Sequence, residues 1–230
     1  MNMFAVQSAL KVLGFDPGPI DGMRGPRTDA AIIEFKKSIG FRASRYLGPL
    51  TKQQLKDHMA LAQGKVGDAS DMPWMEAAAA VRGLHEQRNN AALQDWFWKS
   101  VAWIDSREIA WCGAFVETCH KVAAPECETV DNPLGARNWS KFGRESAPGF
   151  GATLVFWRGS RSSWKGHVGF YHAEDRTHFH VLGGNQRNAV TVTRIAKSRL
   201  LAARAPAYFD APFKRIHVLP SGVPISTNEA

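Results

Sequence analysis

Long apolar runs are missing from this sequence. None approaches the roughly 20 residues that a membrane-spanning helix needs, so stable membrane insertion is not expected. The opening MNMFAVQSALKVLGF has no basic stretch followed by an apolar core and a small-residue cleavage site, so no secretory leader is read there. Cysteine is scarce. Cys112, Cys119 and Cys127 cannot close into pairs, and the first two would lie about two turns apart on a shared helix, too far for a disulfide. No disulfide framework is implied, and folding in a reducing compartment is allowed. The patterns CxxC, HExxH and GxxxxGKS or GxxxxGKT do not occur. His178 and His180 would share a strand face, but no third ligand follows from spacing. Neither a metal nor a cofactor is expected.

What is present fits a globular chain. Hydrophobic residues make up 44% of the 230. Lys and Arg number 29 against 21 Asp and Glu, a net charge of +8. Such a surface favours an anionic partner: nucleic acid, membrane phosphate or an anionic wall polymer. Arg187, Arg194, Lys197, Arg199 and Arg204 span an acid-free stretch. No aromatic ladder interleaves them, so a solvated basic face is expected there rather than a nucleic-acid surface.

The chain reads as two parts. In residues 1–62, Val6, Ala9, Leu10 and Leu13 repeat at the spacing of an amphipathic helix, which Gly14 stops. The loop Phe15 to Pro26 is dense in glycine and proline and cannot continue a helix. A second helix starts near Pro26, a favoured first-turn residue, with Ala31, Ile32, Phe35 and Ile39 as its stripe. A third follows Thr51, with Leu55 and Met59 inward. Residues 63–73 read as a polar linker. All eight tryptophans lie between Trp74 and Trp164, so residues 74–217 hold the richer core. Helical patterns over Met75–Leu84, Ala91–Val101 and Ile109–Val122 precede strand-like runs at Ala152–Trp157, His167–His172, His178–Leu182 and Ala189–Ile195. Helices followed by a meandering sheet predict an α+β domain. Residues 218–230 read as a flexible tail.

Chemistry concentrates at three places. Cys112 opens a helical pattern, where first-turn N–H groups and the macrodipole favour a thiolate and can receive an oxyanion. A small core cysteine is the bland alternative, and Cys119 fits that description. A thiolate nucleophile needs a base. His167, in a Gly-His-Val-Gly strand just after a turn, is the best placed of eight histidines. A base needs an orienting group. Asn185 follows a Gly-Gly turn and, if the two strands pair antiparallel, returns towards His167. Asn185 also suits a hairpin for its backbone tolerance alone, and spacing leaves the two readings even. Gln186 stands second for the orienting role.

Residues 3 to about 60 resemble the small three-helix peptidoglycan-binding module. The likeness rests on Val6-Gln7, Leu10, Leu13-Gly14-Phe15-Asp16-Pro17-Gly18-Pro19-Ile20-Asp21-Gly22 and Gly25-Pro26-Arg27-Thr28. It implies bacterial peptidoglycan as partner, with Asp21, Gly22, Arg24 and Arg27 lining the groove. Residues 72 to about 206 resemble the CHAP and NlpC-type cysteine amidases and peptidases. That likeness rests on Ala110-Trp111-Cys112-Gly113-Ala114-Phe115, on Gly166-His167-Val168-Gly169-Phe170 and on Leu182-Gly183-Gly184-Asn185-Gln186. It implies a papain-like α+β fold with an antiparallel sheet, Cys112 as nucleophile, His167 as base and Asn185 as orienting residue. Trp111 is added as a substrate contact.

Together the resemblances imply a monomeric cell-wall hydrolase that cleaves an amide or peptide bond of peptidoglycan. The arrangement looks like phage endolysins, which are made in the host cytoplasm and reach the wall in the periplasm after a holin opens the membrane. A secreted antibacterial effector shares the chemistry. A non-catalytic wall-binding or phage structural protein is the rival of a different class.

Overall fold

Asn2 starts the first helix: its side-chain oxygen accepts from the Ala5 N–H at 2.9 Å, filling one of the donors that a helix N-terminus leaves open. The computed structural model describes residues 1–62, 72–101, 104–218 and 225. Three helices follow one another: α1 (Met3–Val12), α2 (Pro26–Ser38) and α3 (Pro49–Ala62). Their inner faces close a small core of Val6, Ala9, Leu10, Ala31, Ile32, Phe35 and Leu55. Phe35 meets Phe15 and His58 edge-on, with centroids 5.8 and 5.4 Å away. These are the stripes that apolar spacing predicts. The third helix opens at Pro49, ahead of Thr51, because proline suits a first helical turn.

The chain divides into two compact units, Met1–Asp68 with Ile216–Pro220 and Ala69–Arg215 with Ser221–Ala230. The linker expected over 63–73 lies outside the described residues except for 72 and 73. The tail expected over 218–230 does so except for 218 and 225.

The second unit combines helices with an antiparallel sheet, an α+β arrangement. Its helices are α4 (Pro73–Ala80), α5 (Asn90–Phe97) and α6 (Cys112–Ala123), followed by a 3-10 turn at Ala136–Lys141. Its strands are β1 (Arg144–Glu145), β2 (Thr153–Trp157), β3 (Gly166–Glu174), β4 (His178–Gly183), β5 (Thr191–Ala196) and β6 (Leu200–Ala205). They lie in the order β1-β6-β2-β3-β4-β5. Each neighbouring pair is antiparallel.

Two sequence expectations change here. The helix expected from Ile109 begins at Cys112, so the cysteine occupies the first helical position. The acid-free basic stretch is not simply a solvated face, because most of it is sheet. Arg194 Nε binds Asp175 at 2.7 Å and Lys197 Nζ binds Glu174 at 2.7 Å. Arg199 and Arg204 donate to the carbonyls of Trp157 and Phe142 at 3.0 and 2.6 Å. The strand β6, hidden among these cations, pairs with β2 through Leu154 and Ala203.

Helix α6 packs across the sheet. Phe115 lies 5.9 Å from Phe170, and His120 is enclosed by Trp74, Trp139, Phe142 and Phe170. Burial lowers the pKa of His120 to about 3 and that of His172 to about 4, from an ordinary 6.5. Both rings are therefore neutral in the folded unit. Below pH 6.5 the unfolded chain takes up protons that the folded chain refuses, so stability falls as pH falls. The loss levels off below about 4 for His172 and about 3 for His120. His120→Phe should flatten this acid limb by about 1.4 kcal/mol per pH unit between those limits. Urea titrations at stepped pH, followed by tryptophan fluorescence, measure it. All tryptophans lie in the second unit, and an unchanged slope would contradict the assignment.

Candidate functional site

Cys112 heads α6, and Trp111 before it supplies no side-chain cap. The first-turn N–H groups are therefore available to the sulfur rather than to a capping oxygen. Burial pushes the Cys112 thiol up. The N–H groups of Val168 and Gly113, the charge of Arg158 and the residue's own N–H pull the other way without overcoming it. The lowered pKa expected from helix position alone is thus reversed by desolvation, and the resting group is a neutral thiol. The Val168 contact places the sulfur against the peptide that follows His167.

His167 is fully buried on β3, opposite Phe156 on β2. Its Nε2 lies 3.2 Å from the Gln186 side-chain oxygen. The Gln186 amide nitrogen donates to the carbonyls of Val181 at 3.1 Å, Gly183 at 3.2 Å and Thr191. Those acceptors fix which end of the amide is nitrogen. The oxygen therefore faces the ring, also accepting from Thr193 Oγ1 at 2.7 Å. An oxygen opposite Nε2 requires Nε2 to carry the proton, which leaves Nδ1 as the basic nitrogen. Gly183 makes this meeting possible: a Cβ there would lie 3.2 Å from both the imidazole Nε2 and the Gln186 oxygen.

Gln186, the second candidate for the orienting role, holds the ring at Nε2. Asn185 takes φ +55, a left-handed turn conformation that asparagine tolerates well. The substrate contact expected for Trp111 is corrected. Its ring is fully buried, its indole N–H donates to Glu86 at 3.0 Å, and it packs against Gly184, so it cannot touch a substrate. Sequence spacing gave no signal for Glu86. Among the described residues no group of three or more His, Cys, Asp and Glu side chains could hold a metal ion. His180 is instead tied to Asp175 at 3.0 Å.

In the first unit the loop after α1 is built around buried Gln7. Its side-chain oxygen accepts from Gly22 N–H at 2.7 Å, and its amide nitrogen donates to Met23 O at 2.9 Å and to Asp21 at 3.1 Å. The N–H of Met23 and the amide of Gln7 hold the Asp21 carboxyl below the usual range. Gly22, at φ +78, serves the turn. Arg24 binds Asp29 at 2.6 Å, and Arg27 pairs with Asp16. Asp21, Arg24 and Arg27 line a cavity of about 250 Å³ together with Gln7 and Thr28.

Residues 2–55 match the family described as "Putative peptidoglycan binding domain". The N-terminal unit is a peptidoglycan-binding domain. A curated protein from Synechocystis sp., "Putative OxPP cycle protein OpcA", is 47% identical over 51 residues, which are 22% of this chain and 11% of that protein. The chain thus spans a small fraction of that relative. No solved structure matches the chain.

Two outcomes test the site as built. Nitrogen-15 NMR of the imidazoles should find His167 with its proton on Nε2, and Gln186→Ala should abolish that preference. The same change takes a donor from three carbonyls, two of them buried, and should cost about 2–4 kcal/mol by urea denaturation. Asn185→Ala should cost about 1 kcal/mol or less. Equal costs would contradict the ranking. In the wall-binding domain, Gln7→Ala should release the Gly22–Met23 turn and lower co-sedimentation with purified sacculi at least fivefold. Unchanged binding would separate that turn from the binding surface.

Proposed function

We propose that the second unit is a thiol hydrolase acting on an amide or peptide bond of peptidoglycan, with the N-terminal domain holding it on the wall. One observation carries the reading. A cysteine at the first position of α6 has its sulfur against the amide that follows a buried histidine, and Gln186 fixes that histidine's tautomer. The resemblance of the Cys112, His167 and Gly183–Gln186 segments to CHAP and NlpC-type enzymes supports it, and so does the presence of a wall-binding domain in the same chain.

Chemistry follows from the resting protonation. The thiol passes its proton to Nδ1 of His167 as the sulfur attacks the carbonyl carbon. The tetrahedral oxyanion accepts from N–H groups in the first turn of α6. The C–N bond breaks, and the leaving amine takes the proton from Nδ1. Water then adds to the thioester, giving a proton to Nδ1. The carboxylic acid departs as the sulfur regains that proton. Gln186 keeps Nε2 protonated throughout, so only one ring nitrogen exchanges protons. The charge of Arg158 favours the transient thiolate.

Cys112→Ala and His167→Ala should each abolish release of soluble fragments from purified sacculi, a loss of at least about 10³-fold. Co-sedimentation with sacculi should persist. Mass spectrometry of the wild-type products names the bond: a new N-terminal alanine marks the muramoyl-alanine amide, whereas split cross-links or shortened stems mark a peptide bond. Retained lysis by Cys112→Ala would overturn the assignment. A wild-type chain that binds sacculi but releases no fragments from them would favour a non-catalytic wall-binding protein.

A further inference from the structure

The loop between β2 and β3, residues 158–165, leaves the sheet at the end that carries His167: Trp157 pairs with Gly166 and Phe156 with His167. It reads RGSRSSWK, three cations and no acid. Trp164 within it is 84% exposed. A loose loop could turn that indole inward, but this loop is tied. Arg158 N–H donates to Lys165 O at 3.2 Å, Ser160 N–H to Arg158 O at 2.9 Å and Lys165 N–H to Ser163 Oγ at 3.1 Å. Arg137 reaches across from the 3-10 turn to the carbonyls of Arg161, at 3.1 Å, and Ser163. Gly166 allows this approach, since a Cβ there would come within 2.6 Å of Arg137 Cγ.

An indole held outward by a tied loop presents a large flat apolar face with its polar N–H at one end, which a ligand can cover without any rearrangement of the chain. Its surroundings say which ligand fits. The Lys165 ammonium stands 6.0 Å from the Trp164 ring centroid, and Arg161 is exposed beside it. A flat aromatic face with flanking cations suits a ligand with an apolar face and a nearby anionic group. Sugars carrying carboxylates have both.

We propose that residues 158–165 form a glycan-docking subsite of the catalytic unit. The Trp164 indole stacks on a sugar ring of the peptidoglycan strand, and Arg161 and Lys165 pair with a carboxylate on or next to that ring. The subsite deepens the reading of this unit as a wall hydrolase and rests on it. It orients the strand so that the bond to be cut, a few ångströms from the sugar, is presented to Cys112.

The test uses the full chain carrying Cys112→Ala and 5-fluorotryptophan, with the Trp164 fluorine resonance assigned through Trp164→Phe. Residues 1–73 contain no tryptophan, so the N-terminal domain is silent. Titration with peptide-free glycan strands should shift the Trp164 resonance saturably. Arg161→Gln with Lys165→Gln should weaken the apparent affinity roughly tenfold. A resonance unmoved by glycan, or moved only by sugar-free stem peptide, overturns the proposal. Lysis of sacculi by the wild-type chain is scored separately. Lysis without the shift removes the subsite alone, whereas the shift without lysis removes the hydrolase reading and leaves a sugar-binding loop.

Discussion

The side-chain amide of Gln186 has one orientation open to it. Its nitrogen faces the carbonyls of Val181, Gly183 and Thr191, and a flip would set oxygen against oxygen at every one. Everything proposed for the second unit depends on this constraint. With the oxygen turned towards Nε2, the His167 ring holds its proton on that nitrogen. The amide is fully buried, so water cannot substitute for any partner.

The same logic recurs in the wall-binding domain. Gln7, also buried, uses both ends of its amide to bind Gly22, Met23 and Asp21 in a loop that glycine and proline alone would leave underdetermined. In each unit one glutamine turns an irregular segment into a fixed surface. Buried amides do this well, since they donate and accept without carrying a charge that would need a counterion.

Close packing supplies the second condition. At Gly113 a Cβ would meet Pro133 O at 1.9 Å, and at Gly184 it would meet Trp111 and Phe115 at 2.6 Å. The glycines beside the proposed nucleophile and after β4 therefore serve approach rather than left-handed turning. The positive φ angles in that hairpin fall on Asn185, Arg187 and Asn188 instead. Burial on this scale also explains the neutral thiol: the packing that positions Cys112 removes the water that would have stabilised its anion.

Much of this was legible in the residues. Apolar spacing sets the three helices of the first unit, because a stripe of Val6, Ala9 and Leu10 has only one way to leave water. The Gly-Pro loop marks where α1 must end. Turn glycines and strand alternation mark His167, and the start of a helical pattern marks Cys112. Tertiary structure decided what depends on neighbours distant in sequence. It set the Gln186 amide against His167 and gave neighbouring Asn185 a left-handed backbone, a division that two adjacent polar residues do not announce in sequence. It buried Trp111 against Glu86, and it placed β6 beside β2 although its cations read as surface. Local pattern records a residue's affinity for water, whereas a site is set by which distant groups arrive around it.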